Sequence, residues 1–269
     1  MSRDNGQRNI RLLIEYEGTR YDGWQVQKDR RTVAGEITGV LGTVINEVPR
    51  LIGAGRTDHG VHAEGQVANF LTRSRTSCAD LVEALNRSLP SDINILQASE
   101  VPFSFHARHD ARSRRYRYQI ATRRTAFFKK LIWWVRRPLD TAAMDAAARA
   151  LPGRHNFTSF ADRTATITEP RVRVIEAAFR HGDFLHSFTI EADHFLPRMV
   201  RRIVGVLVQV GLGQMQAEEV RRFLAETVDD PAPHTAPPSG LFLERVVYDT
   251  PPAAPPRRGP RTPAGHSSR

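Results

Sequence analysis

Residues 53–66 read GAGRTDHGVHAEGQ and gather one arginine, one aspartate, two histidines and a glutamate among glycines. Three kinds of chemistry fit those residue types. Asp58, His59 and His62 have the composition of a three-ligand metal site. The stronger zinc signatures seat their ligands on a regular element such as a helix, whereas this stretch reads as a loop between strands. In a second reading Asp58 is a carboxylate nucleophile or base. Arg56 lies two residues before it, on the same side of an extended backbone. A nearby guanidinium keeps a carboxylate ionised in a poorly solvated pocket, and such a carboxylate is a competent nucleophile. The third reading is structural: an Arg–Asp pair that braces a loop.

Two further stretches carry chemistry-bearing residues. In RRYRYQ (114–119), Tyr116 and Tyr118 alternate with Arg115 and Arg117, so both rings lie on one face of a strand. Aromatic rings on a sheet stack on unpaired bases; they equally serve as core. In PRMVRRIVG (197–205), Arg198, Arg201 and Arg202 cluster on one turn of an otherwise apolar helix. An arginine there that points into a cleft toward a carboxylate would be a functional partner; solvated charge is the alternative. The lone Cys78 cannot form an internal disulfide, and it excludes a zinc site built from several thiolates.

Those stretches need a scaffold, and the 269 residues suffice for one large domain or two small ones. No run of apolar residues is long enough to span a membrane, and the polar N-terminus carries no apolar signal core, so a cytoplasmic location is expected. The formal net charge is +10, and setting aside the four arginines of the Pro-rich stretch from Pro251 onward leaves +6. Most of the cations are arginines, whose forks match phosphate geometry, so the basic body points to a nucleic-acid partner.

The periodicity predicts two rounds of one pattern. The first has strands at 10–16, near 50–54, 66–72 and 93–99, with helices at 33–45 (capped by Thr32) and 79–88. The second has strands at 114–122, 171–179, 184–192 and 241–248, with helices at 141–151 (capped by Asp140) and 197–211. An extra strand at 132–136 and a short helix at 217–226 complete it, and 229–240 reads as a long loop. Each round is β-α-β-β-α-β, the order of a ferredoxin-like unit. The expected fold is therefore α+β: an N-terminal half (1–104) carrying the Asp58 loop, a C-terminal half (105–250), and a disordered tail (251–269). A cleft between two such sheets suits a large substrate.

At this point the chain resembles a known family, the TruA-type tRNA pseudouridine synthases. GAGRTDHGVHAEGQVANF is similar to the family's catalytic signature, with His59 where the usual form has alanine. YDGWQVQ (21–27), ALNRSLPSDINI (84–95), FHARHDARSRRYRYQI (105–120), GRHNFTSF (153–160), FLPRMVRRIVGVLVQVGLG (195–213) and PPSGLFLERVVY (237–248) resemble its other blocks in order, across roughly residues 10–249. The resemblance implies the pseudouridine synthase fold, with two halves forming a central mixed sheet and a cleft. It implies isomerisation of uridine at positions 38, 39 and 40 of the tRNA anticodon stem-loop, where the base must leave its stack. It implies no cofactor, no metal, and a homodimer in which one tRNA contacts both subunits. By position, Asp58 corresponds to the catalytic aspartate, Arg56 to the arginine that assists base flipping and pairs with it, Tyr116 to the tyrosine stacking on the target base, and Arg201 to the cleft-side partner of Asp58. His59 is expected to face solvent.

Two other functions fit parts of the same sequence. A non-catalytic RNA-binding protein would suit the basic surface and tyrosines, but gains nothing from an anion in its RNA cleft. A phosphoryl-transfer hydrolase would want a metal and more carboxylates near Asp58, and the signature offers only Glu64.

Overall fold

A computed structural model describes residues 6–249 except 163 and 165. The expected Pro/Arg-rich tail at 251–269 lies outside the described residues. The first round consists of β1 (Arg8–Tyr16), α1 (Val33–Ile45), β2 (Ile52–Gly53), β3 (His62–Thr72), α2 (Cys78–Ser88) and β4 (Ile93–Val101). The second consists of β5 (Ala111–Ala121), β6 (Trp133–Trp134), α3 (Thr141–Ala148), β7 (Gly153–Asn156), β8 (Arg171–Arg180), β9 (Leu185–Ala192), α4 (Met199–Gly211), α5 (Glu218–Ala225) and β10 (Leu241–Tyr248).

The strands form one mixed ten-stranded sheet in the order β4-β1-β3-β10-β5-β9-β8-β7, with β2 added to β3 and β6 to β5. Within the first round the order is fourth, first, third, second strand (β4-β1-β3-β2). Leaving aside β6 and β7, the second repeats it as β10-β5-β9-β8. The two ferredoxin-like halves meet where β3 lies parallel to β10, through Phe242 opposite His62 and Leu243 opposite Ala63. This joined sheet places the β2–β3 loop of one half beside β5 and α4 of the other.

Local chemistry explains most elements. The Thr32 side chain accepts a hydrogen bond from Gly35 N at 3.3 Å, satisfying one of the donors that a helix start leaves free. Val33, Ile37, Leu41 and Ile45 recur every four residues and are all buried, giving the apolar stripe that an amphipathic helix lays on a sheet. That burial offsets the cost of three glycines in α1, about 1 kcal/mol each. Asp140 caps α3 by accepting from Ala143 N at 2.9 Å. By contrast α4 is buried nearly all round, as expected of a helix enclosed by the protein. Among the described residues, no helix is long and apolar enough to cross a membrane.

The structure departs from the sequence expectation in three places. β3 begins at His62 rather than at 66, because its first residues pair with β10, which comes some 180 residues later in the chain. β6 is only two residues long. β7 is an edge strand of sequence GRHN, too polar to show alternation, and it exists through antiparallel pairing with β8.

Candidate active site

The loop between β2 and β3, residues 54–61, is held along its length. Ala54 N donates to Val67 O at 2.7 Å, and Trp24 N donates to Thr57 O at 3.1 Å. Gln66 Nε2 donates to Gly55 O at 2.9 Å, and an Arg114 guanidinium nitrogen donates to Ala54 O at 3.0 Å. From below, the buried hydroxyls of Tyr16 and Thr57 lie 2.8 Å apart. Gly23 has a φ of 86°, and a Cβ there would strike Thr57 O. Gly60, at φ 76°, packs against Pro238 from the second half. Only glycine takes both the positive φ and the close approach without strain. The YDGW stretch is thus the backing of the loop, with Trp24 laid against Gly53.

His62 closes the far end. Its Nδ1 accepts a hydrogen bond from Gly18 N at 3.0 Å. The proton is therefore on Nε2, which lies 3.1 Å from Lys130 O and 3.2 Å from Ser239 O. The ring stacks on Phe242 at 4.8 Å between centroids. One neutral imidazole joins three segments to the first residue of β3. Burial lowers its pKa below the ordinary 6.5, against the opposing pull of Glu17.

The loop presents Asp58 to a cleft of about 970 Å³ between the two halves. The carboxylate is partly exposed, and Arg201 Nη1 approaches Asp58 Oδ2 to 3.5 Å. Arg201 is aimed by its Nε, which donates to Ala236 O at 2.7 Å. Tyr116 rises from β5 beside the loop, buried, with its ring edge against Phe195 at 4.9 Å and 83°. Burial first, then the negative charges that Tyr16 and Asp58 would place nearby, push its phenol well above its ordinary pKa of 10.0, so the hydroxyl stays protonated and can donate. Arg56 also lines the cleft but is exposed. Among the described residues it is Arg201, not Arg56, that lies within 4.0 Å of the Asp58 carboxylate. Arg50, Arg108 and Arg198 line the same cleft, which makes it a basic channel with a carboxylate inside it, a site suited to a polyanion that must be acted on rather than merely held.

The family described as tRNA pseudouridine synthase matches residues 12–110 and 147–249. The chain belongs to that family. Similar proteins named tRNA pseudouridine synthase A agree in length as well as sequence. That of Acetivibrio thermocellus is 40% identical over 243 residues, covering 90% of this chain and all of the relative. That of Halalkalibacterium halodurans is 42% identical over 243 residues, 88% of this chain and 92% of the relative. That of Myxococcus xanthus is 40% identical over 261 residues, 95% and 96% of the two chains. Among solved structures, the archaeal box H/ACA sRNP Nop10–Cbf5 complex aligns over 74% of this chain and 54% of that one at 9% identity and a TM-score of 0.33, too faint a likeness to argue from. The protein is therefore a TruA-type tRNA pseudouridine synthase, an isomerase that converts uridine to pseudouridine.

In the synthase, the residues that suggested a metal site turn to different partners. His62 has both ring nitrogens engaged by backbone, His59 Nδ1 lies 3.2 Å from Asp22 Oδ1, and Asp58 faces Arg201. Among the described residues there is no group of three or more His, Cys, Asp or Glu able to hold a metal. His59 is largely exposed, 68% by side chain, yet it also reaches the YDGW loop through Asp22, a contact across 37 positions that the sequence did not signal. Of the two tyrosines predicted on one face, Tyr116 reaches the cleft. Tyr118 is fully buried, with its hydroxyl donating to Pro237 O at 2.8 Å. Arg202 is buried and donates to Ala161 O, so it belongs to the scaffold. Sequence reasoning missed Tyr16, Gln66 and Arg114, and it singled out His62 as a metal ligand rather than as the clamp on Gly18 N, Lys130 O and Ser239 O that it is.

Proposed function

We propose that the synthase acts on uridines at positions 38, 39 and 40 of the tRNA anticodon stem-loop, with Asp58 as the catalytic group. The observation that supports this reading best is the Asp58 carboxylate in a basic cleft, 3.5 Å from Arg201 and beside the ring of Tyr116. The reaction breaks the C1′–N1 bond, turns the uracil, joins C5 to C1′ and moves the C5 proton to N1. Nothing is oxidised and nothing leaves. Sugar C1′, uracil C6 and a sugar proton are the three points at which a carboxylate can enter this chemistry. Arg201 balances the carboxylate charge in the narrow cleft. Tyr116 holds the detached base by stacking, a contact available to any base. Arg56, exposed at the mouth, fills the space of the flipped nucleotide, whose unstacking costs a few kcal/mol. Phosphate contacts from the arginine rim position the stem.

The functional unit is proposed to be a cytoplasmic homodimer whose two subunits contact one tRNA. Each chain is proposed to divide at 104/105, within the segment joining β4 to β5.

The test is pseudouridine mapping in an unmodified tRNA transcript incubated with purified protein, chelator present, beside Asp58→Asn. Product confined to the anticodon arm with the native chain and absent with Asp58→Asn is the expected result. Product elsewhere would overturn the assigned positions. Full activity of Asp58→Asn would overturn its role, and a monomer by solution mass at working concentration would overturn the dimer.

A further inference from the structure

The segment leaving β5 has a composition unlike the rest of the surface. Residues 123–137 read RRTAFFKKLIWWVRR, with six cations and no acid. Phe127 and Phe128 are 74% and 70% exposed, and Trp134 is 36% exposed. The two phenylalanines contribute little to the core, so their exposure calls for a partner. The segment is nonetheless well anchored. Leu131 N donates to Phe128 O at 2.7 Å, Phe127 N donates to Thr125 Oγ1 at 3.1 Å, and Ser239 Oγ donates to Ile132 O at 3.3 Å. Phe128 has a φ of 59°, a conformation that bulky side chains adopt rarely. The same Lys130 carbonyl that His62 grips lies at its root, so the segment is tied to the catalytic loop four residues beyond Asp58.

The charges here are unspent. Among the described residues, only Lys130 of the six cations lies within ion-pair distance of a carboxylate, Glu17 at 4.0 Å. The contrast is with Arg115, Arg117 and Arg245 on the sheet, which are tied up by Glu64, Glu176, Glu191 and Glu244. The guanidinium groups lie against rings instead: Arg124 and Arg136 stand 5.9 and 5.1 Å from the Trp134 centroid, and Arg123 stands 4.2 Å from that of Phe184. Exposed rings and guanidinium planes stack on unpaired bases, and free cations bind phosphate. A second copy docking through this same acid-free segment would be repelled.

We propose that residues 123–137 form an accessory docking arm for the RNA substrate, gripping tRNA outside the cleft while the target uridine is processed inside it. The inference rests on the tRNA reading above and names a second contact surface for that substrate.

The test measures tRNA dissociation constants and, separately, steady-state kinetics for the full chain, for Phe127→Ala/Phe128→Ala and for Lys129→Ala/Lys130→Ala. The expected result is an approximately tenfold weaker Kd and higher KM for the double phenylalanine variant, with kcat within about twofold. For the lysine variant, the slope of log Kd against log salt should fall by about 1–2. Unaltered thermal midpoints would show that both variants fold. A Kd and KM within twofold of the native chain in both variants would overturn the proposal. So would a loss of tRNA affinity that tracks conversion of a dimer to monomers by solution mass, which would make the arm a contact between copies. Binding is read apart from turnover, so modification at uridines other than those proposed would leave this test intact.

Discussion

The two halves share a strand order, but only one opens the connection between its second and third strands onto the cleft. In the first, the connection between the second and third strands is the eight-residue loop 54–61, fixed by glycine geometry and by side chains from four other segments, with Asp58 at its tip. In the second, the matching connection between β8 and β9 is the short turn His181-Gly182-Asp183, where Gly182 N donates to Leu185 O at 3.2 Å. It also carries an aspartate and a histidine, yet Asp183 is exposed and His181 serves to join Asp145 of α3 at 3.1 Å. Residue type is therefore not the determinant. What distinguishes the first loop is that it opens at the seam between halves, where β5 and α4 supply Tyr116 and Arg201. The shared strand order is not what separates the two connections; placement at the seam is.

The comparison can be broken most directly at the paired aspartates. Asp58→Asn should lower the rate of pseudouridine formation by about 10²–10⁴-fold, while Asp183→Asn should leave it within about twofold; a comparable loss in both would erase the distinction. The tyrosines sharpen what the second half contributes. Tyr116→Ala should reduce kcat/KM by about 5- to 150-fold, the equivalent of one lost base stack at about 1–3 kcal/mol. Tyr118→Ala should instead cost about 3–5 kcal/mol of stability, visible in denaturant unfolding, with the surviving folded protein turning over normally.

His62 offers a subtler contrast with His181. His62→Ala leaves Gly18 N, Lys130 O and Ser239 O without that partner and should destabilise by at least about 2 kcal/mol; His181→Ala, at a half-exposed hairpin, should cost less than about 1 kcal/mol. The pH dependence has a definite sign. Because burial lowers the His62 pKa below 6.5, the unfolded chain takes up this proton more readily than the folded one. Its contribution to stability is complete above about 6.5 and is lost as the pH falls through the lowered folded-state value. Denaturant midpoints of the native chain and His62→Gln across that range should differ in slope on the acid side only. The smallest effect is at His59: despite its contact with Asp22, His59→Ala should leave turnover within about twofold, and a tenfold loss, about 1.4 kcal/mol, would make it part of the site.

Much of the scaffold was legible because it is written in local patterns. The fourfold spacing in α1, the Thr32 and Asp140 caps and the alternation in β5 each report a short-range constraint. The start of β3 and the polar β7 were not legible, since both owe their strand conformation to partners elsewhere in the sheet. The site divides the same way. Asp58 stood out by type and spacing, but local geometry pointed to Arg56 as its partner. The 3.5 Å neighbour is Arg201, 143 positions away, reached beforehand only through the family resemblance. His62 looked like a ligand and acts as a clamp, a role defined by backbone atoms of residues 18, 130 and 239 that no motif encodes.

The position of β10 has a consequence for biosynthesis. Among the described residues β10 comes last in chain order, and it sits between β3 and β5, at the middle of the sheet. A nascent chain can carry Asp58, Tyr116 and Arg201 and still lack the strand that joins their halves. Translation thus withholds the joined sheet until the codons for β10 have been read, and a chain cut short before them would leave two sheets with unpaired edges for chaperones to shield.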